Sequence, residues 1–155
     1  MRFALISERI LLTLWVGGLW AIGYLAVPVL FNMLNDRQLA GELAGKMFSI
    51  ISIIGLVFGV LLLIGAFYRA GDKWLRAWRV WILVAMLVFV AVGFFVLQPM
   101  MHDLKAHGLV EGSVQATNFG RLHGISSILY MATSLLGLGL VVAGPGGKRP
   151  SRYTL

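Results

Sequence analysis

Four stretches of this chain contain no Asp, Glu, Lys or Arg: Ile10 to Asn35, Met47 to Tyr68, Val80 to Met101 and Leu122 to Gly147. A helix needs ~20 apolar residues to cross ~30 Å of hydrocarbon, and each stretch is longer than that. With 59% hydrophobic and 12% charged residues in 155, a water-soluble fold would have almost nothing with which to cover its surface. The expectation is an all-α, integral membrane four-helix bundle, one domain over residues 1–147 with spans at about 10–34, 47–68, 80–101 and 120–144, followed by a flexible basic tail at 148–155. The first stretch is too long for the apolar part of a signal peptide and reads as a retained span.

A pI near 10.4 in a soluble chain would point to nucleic acid, so the placement of the charges decides. The N-terminus (Arg2, Glu8, Arg9), the middle loop (Arg69, Asp72, Lys73, Arg76, Arg79) and the tail (Lys148, Arg149, Arg152) hold nine cations against two anions, which is the whole net charge of +7. The other two loops balance, with Arg37, Lys46, Lys105 and Arg121 against Asp36, Glu42, Asp103 and Glu111. Four spans put the three basic segments at one end, and cytoplasmic loops carry the excess of Lys and Arg, so both termini are expected inside (N-in/C-in). The excess is then a topology signal and an attraction to anionic lipid; no nucleic acid is implied. The lipid bilayer is the expected partner. Absence of cysteine excludes disulfides and thiolate metal sites.

Polar residues inside such spans are the candidates for function. In the fourth stretch, His123, Ser126, Ser127, Tyr130, Thr133, Ser134 and Gly137 recur at steps of three and four, opposite Leu122, Ile125, Leu129, Ala132 and Leu136. The polar stripe is expected to face other helices and the aliphatic one lipid. In the first stretch Thr13, Gly17, Trp20, Tyr24, Pro28 and Phe31 form a mixed aromatic and small face, expected inward, with a bend at Pro28. In the second, Gly45, Phe48, Ser52, Gly55, Gly59, Leu62 and Ala66 align, and the Gly55/Gly59 pair spaced as GxxxG suits close approach of a helix from another span or another copy. Gly17 and Gly137 are expected to pack likewise. Asn35 with Gln38 resembles a helix start leading into the second span, and Gly112-Ser113 one leading into the fourth. Tyr68, Trp74, Trp78 and Trp81 beside the middle-loop arginines read as an interfacial belt. The third stretch, without a polar side chain from Val80 to Leu97, is the most lipid-like and ends in Gln98-Pro99.

The expected pocket opens to the outside and is lined by His123, Ser126, Ser127 and Tyr130, with Thr13, Trp20, Tyr24, Ser52 and Gln98 as neighbours. Three chemistries are open there. His123 with Met100, Met101 and His102 offers the imidazole and thioether ligands that suit copper, although no repeated metal-ligand spacing is present. Haem held by two histidines needs a second imidazole at the depth of His123, and His102 and His107 are loop residues. His123 can also be a structural hydrogen-bonding group. No phosphate-cradling glycine loop, HExxH, nucleophile elbow or acidic pair within a span is present, so a non-enzymatic role is expected.

Phe119, Arg121 and His123-Gly124-Ile125-Ser126-Ser127 resemble the FxRxHGxSS signature of the transmembrane protein 205-like family and its bacterial relatives of unknown function. LWVGGLWAIGYLAVPVLF in the first span, KMF before the second and Gln98-Pro99 add to the likeness. The resemblance implies a four-helix membrane protein, here of a bacterial inner membrane, and marks Phe119, Arg121, His123, Gly124, Ser126 and Ser127 as site residues; eukaryotic members are associated with resistance to platinum drugs. The first span is also distantly similar to copper-resistance D membrane proteins, whose histidine in that helix is replaced here by the Ser7-Glu8-Arg9 region. The expected function is handling of a small solute or metal, or support of envelope stress tolerance. The alternatives are a haem- or quinone-associated redox protein and a helix-docking subunit or assembly factor, in either case with a homo-oligomer or partner membrane protein in view.

Overall fold

The computed structural model describes residues 2–106 and 112–144. Expectations that rest on His107, Glu111 and the basic tail lie outside the described residues. Helix α1 (Arg2–Trp20) runs through a π-helical turn (Ala21–Ala26) into α2 (Val27–Met33); α3 (Arg37–Ala70) ends in a 3-10 segment (Gly71–Arg76); α4 (Trp78–Val92) runs through a second π turn (Gly93–Leu97) into α5 (Gln98–Ala106); α6 (Val114–Val142) is unbroken. The four spans, Leu5–Met33, Arg37–Arg69, Trp78–Ala106 and Val114–Val142, are each long and apolar enough to cross a membrane. The second and third reach beyond the uncharged stretches at both ends and take in Glu42, Lys46, Arg79, Asp103 and Lys105, whereas the first and fourth begin earlier and stop at Met33 and Val142.

The caps explain the starts. Asp36, one residue later than the expected Asn35, accepts from the backbone N–H of Gln38 at 2.8 Å and Leu39 at 3.1 Å. Ser113 caps α6 as expected, accepting from Ala116 at 3.1 Å. Gly71 closes α3 at φ 51°, a left-handed geometry in which a side chain would be strained.

Neighbours in sequence are neighbours in space, and the ring closes where α6 packs on α1. The core between them is apolar: Leu12, Trp15, Val16 and Leu19 from α1, Ile51 and Leu62 from α3, Leu83 and Met86 from α4, and Leu140 from α6. Trp15 and Met86 are fully buried. The third span, although the least polar, is therefore a core element. The α1 face expected inward is displaced by about one residue: Thr13, Gly17, Trp20, Tyr24 and Phe31 are exposed, and Leu12, Trp15, Val16 and Leu19 are buried. When lipid and core are equally apolar, hydrophobic periodicity does not tell one face of a span from the next.

Small residues do mark the seams, and the seams lie within one chain. A Cβ on Gly55 would stand 2.5 Å from the Trp15 Nε1, one on Gly59 would meet the Leu87 side chain, and one on Gly137 would lie 2.6 Å from Val16 Cγ2 and 3.0 Å from the Met86 methyl. The Gly55/Gly59 pair is thus occupied by the first and third spans. Gly17 is the exception: a Cβ there meets nothing within 4 Å, and Gly18 instead faces Ile51 at 2.7 Å.

At one end of the bundle, Glu8 pairs with Arg69 and, at 3.5 Å, with Arg79, whose guanidinium also donates to the Leu140 carbonyl at 3.3 Å. The start of the first span, the middle loop and the end of the fourth are thereby joined at one end, the arrangement that the charge pattern requires.

Candidate functional site

Proline determines where the spans become irregular. Pro28 and Pro99 have no N–H, and the ring of each would strike the carbonyl four residues earlier in a regular helix. In both spans the turn before the proline widens: Val27 N–H reaches Ile22 O and Gln98 N–H reaches Gly93 O, five residues back. The same device thus occurs in the first and third spans, which run in the same direction.

Each widened turn carries a polar side chain that crosses to a serine. Tyr24, in the first π turn, lies 2.9 Å from Ser134 Oγ on α6. The Ser134 hydroxyl has one proton and gives it to the Met131 carbonyl at 2.9 Å, so Tyr24 is the donor. Gln98, just after the second π turn, accepts at Oε1 from Ser49 Oγ on α3 at 2.8 Å, and the same hydroxyl lies 2.9 Å from Gly45 O. Between the pairs, Tyr130 donates to the Leu19 carbonyl at 2.5 Å, where the first helix is about to change register, and its ring lies on Gly23 and meets Phe48 edge-on at 5.0 Å. The Trp20 ring lies tilted against Tyr24, centroids 4.8 Å apart, with its Nε1 3.5 Å from the Ser134 carbonyl. The result is a layer of hydroxyl, amide and indole groups in which the lateral members, Trp20 (38% exposed) and Tyr24 (45%), reach the bundle surface.

The expected stripe on α6 is divided by this geometry. Thr133, Ser134 and Gly137 are buried, Ser126 and Tyr130 half-buried, and His123, Gly124 and Ser127 exposed. The lipid-type face is Ile125, Ile128, Leu135 and Leu138, whereas Leu122, Leu129, Ala132 and Leu136 are half-buried. Ser127 returns its hydroxyl to the His123 carbonyl at 2.8 Å. The His123 ring stacks on Phe119 (6.1 Å, 11° between planes), and the Lys105 ammonium lies 5.4 Å from the Phe119 ring. Arg121 is exposed on the same turns.

Other site residues fall elsewhere. Thr13 lines a crevice at the basic end with Glu8, Arg79 and Leu140, far along the bundle from His123. Ser52 is half-buried one turn beyond Ser49 on α3. Met100 and His102 are exposed and Met101 half-buried on α5, and no three His, Asp or Glu side chains among the described residues converge on a metal-sized site. A cation at His123 would also lie near the Lys105 ammonium, which works against it.

Ser49, Phe48, Gly23 and Trp15 join the site or its seams without having been singled out by the residue pattern as site residues. Trp15 is signalled by its spacing with Leu12 and Leu19, and Ser49 by lying one turn from Ser52. The Trp15 Nε1 is buried without a hydrogen-bond acceptor, its ring held against the Gly55 backbone.

No characterised protein and no solved structure matches this chain at a significant level. A family model does, over residues 10–109, which takes in most of the first span, the second and third spans, both π turns and Ser49, and ends before α6. The chain belongs to the family defined by the domain of unknown function DUF4149.

Proposed function

We propose that this protein is a non-enzymatic, multi-pass protein of the bacterial inner membrane, with both termini cytoplasmic, that handles a small hydrogen-bonding solute in the polar layer between its spans. The observation that carries the reading is the pairing of Tyr24 with Ser134 and of Gln98 with Ser49, each beside a proline-linked π turn. Proline-interrupted helices in corresponding positions of two halves, with polar groups between them, are how many membrane transport proteins build a site at membrane depth. π turns are frequent at such sites because they free backbone groups. The layer holds no charged side chain, which suits an uncharged solute better than a metal ion.

Orientation follows from the basic segments joined at the Glu8 end, which the positive-inside rule assigns to the cytoplasm. His123, Phe119 and Lys105 then form the outer rim, and the likeness of the Phe119 to Ser127 run to transmembrane protein 205-like proteins bears on that rim, where solute enters.

Single cysteines introduced into this cysteine-free chain test the reading. In intact cells a membrane-impermeant maleimide is expected to modify Ser49→Cys and Gln98→Cys, and to leave Leu140→Cys untouched. Absence of labelling at both layer positions, with Ser113→Cys labelled, means that the layer is sealed helix packing and the reading is wrong.

A further inference from the structure

At the basic end, Leu63, Ile64, Phe67 and Tyr68 on the last turns of α3 and Trp74 on the 3-10 segment line a shallow, open groove of about 310 Å³. That is close to the lower size of small-molecule clefts, ~300 Å³. Its walls are fixed. Phe67 meets Trp74 edge-on at 5.9 Å and Tyr68 at 5.8 Å, and the Trp81 indole donates to the Leu75 carbonyl at 2.9 Å, tying the segment to the start of α4. The groove faces outward from the bundle, with Phe67 and Ile64 about half exposed and Tyr68 81% exposed at its mouth.

A groove on the lipid-facing side of a span is filled by lipid, and the charge around it decides which. Arg69 follows Tyr68, Arg76 ends the segment that carries Trp74, and Arg79 lies one turn further, its guanidinium 5.7 Å from the Trp78 ring. Glu8 is the one carboxylate paired with Arg69 and Arg79 among the described side chains. Three arginines against one glutamate leave a surplus of two positive charges, and Arg76 is exposed. We infer that this groove is a binding site for one anionic phospholipid, its acyl chain lying along Phe67 and Trp74 and its phosphate held by the exposed Arg76, since Arg69 is engaged by Glu8. Arginine's planar fork binds phosphate in two-point fashion, and juxtamembrane cations attract anionic head groups. The site is independent of the polar layer, so either can fail without the other.

Native mass spectrometry of the whole protein from micelles holding equal amounts of phosphatidylglycerol and phosphatidylcholine reads the preference directly. The expected result is retention of phosphatidylglycerol over phosphatidylcholine by the unaltered chain and by His123→Ala, with the preference lost in Arg76→Gln and weakened in Trp74→Ala. Arg76→Gln alters an exposed side chain and keeps the helix ends intact, so its loss of preference is not a folding defect. Equal retention of the two lipids, or a preference that survives both groove variants, overturns the site. Disulfide-linked dimers of Tyr68→Cys forming in membranes would do the same, since a second copy would then cover the groove.

Discussion

The indole of Trp15 lies against the bare backbone of Gly55, with Nε1 2.5 Å from the point where a Cβ would stand. Two helices of an apolar bundle approach here because one contributes a large plane and the other no side chain. In lipid such packing, rather than exclusion from water, holds spans together.

Adding a methyl at that contact forces the indole to move. Gly55→Ala is expected to destabilise the bundle by about 1–3 kcal/mol, the usual cost of overpacking a filled core. Gly17→Ala, with open space at its Cβ, is expected to be neutral or slightly stabilising. Unfolding in mixed micelles measures both, and equal effects would show that the seam is placed wrongly.

Glu8 ties the first span to the second and third through Arg69 and Arg79. Glu8→Gln keeps the shape and removes the charge. Breaking a buried pair costs ~3–5 kcal/mol, but the Arg69 side chain is 27% exposed and partly screened, so a loss of about 1–2 kcal/mol is expected. A double-mutant cycle with Arg69→Gln should recover much of it as coupling; strict additivity would mean that the pair contributes nothing.

Tyr130→Phe removes the hydroxyl that reaches the Leu19 carbonyl and leaves the ring against Phe48. Interhelical hydrogen bonds in membranes average ~0.6 kcal/mol and reach ~1.7, and the upper part of that range is expected because the acceptor borders a change of helical register. Tyr24→Phe should cost less, since Ser134 keeps its bond to Met131. The reverse order in refolding measurements would contradict the roles assigned to the two tyrosines.

The spans were legible because a helix that carries no charge over 22 residues or more is long and apolar enough to cross a bilayer and too apolar to face water. Gly55, Gly59 and Gly137 were legible as seams because a missing side chain has meaning only where another helix approaches. Facing was not: Trp15 and Trp20 are equally suited to lipid and to core, and only the former is buried. Pro28 announced a bend and Pro99 only the end of the third stretch, and the wider register that relieves each proline depends on how the neighbouring spans accept Tyr24 and Gln98. The polar stripe on α6 was half legible: Tyr130, Ser134 and Gly137 face the bundle, whereas His123 is exposed and stacks on Phe119.

Which water reaches the polar layer depends on which way the basic end points. With Ser113→Cys and Arg76→Cys as single-cysteine variants, an impermeant maleimide applied to intact cells is expected to modify position 113 alone, and position 76 only after the membrane is opened. Labelling of position 76 in intact cells, with 113 protected, would place the termini outside and contradict the account.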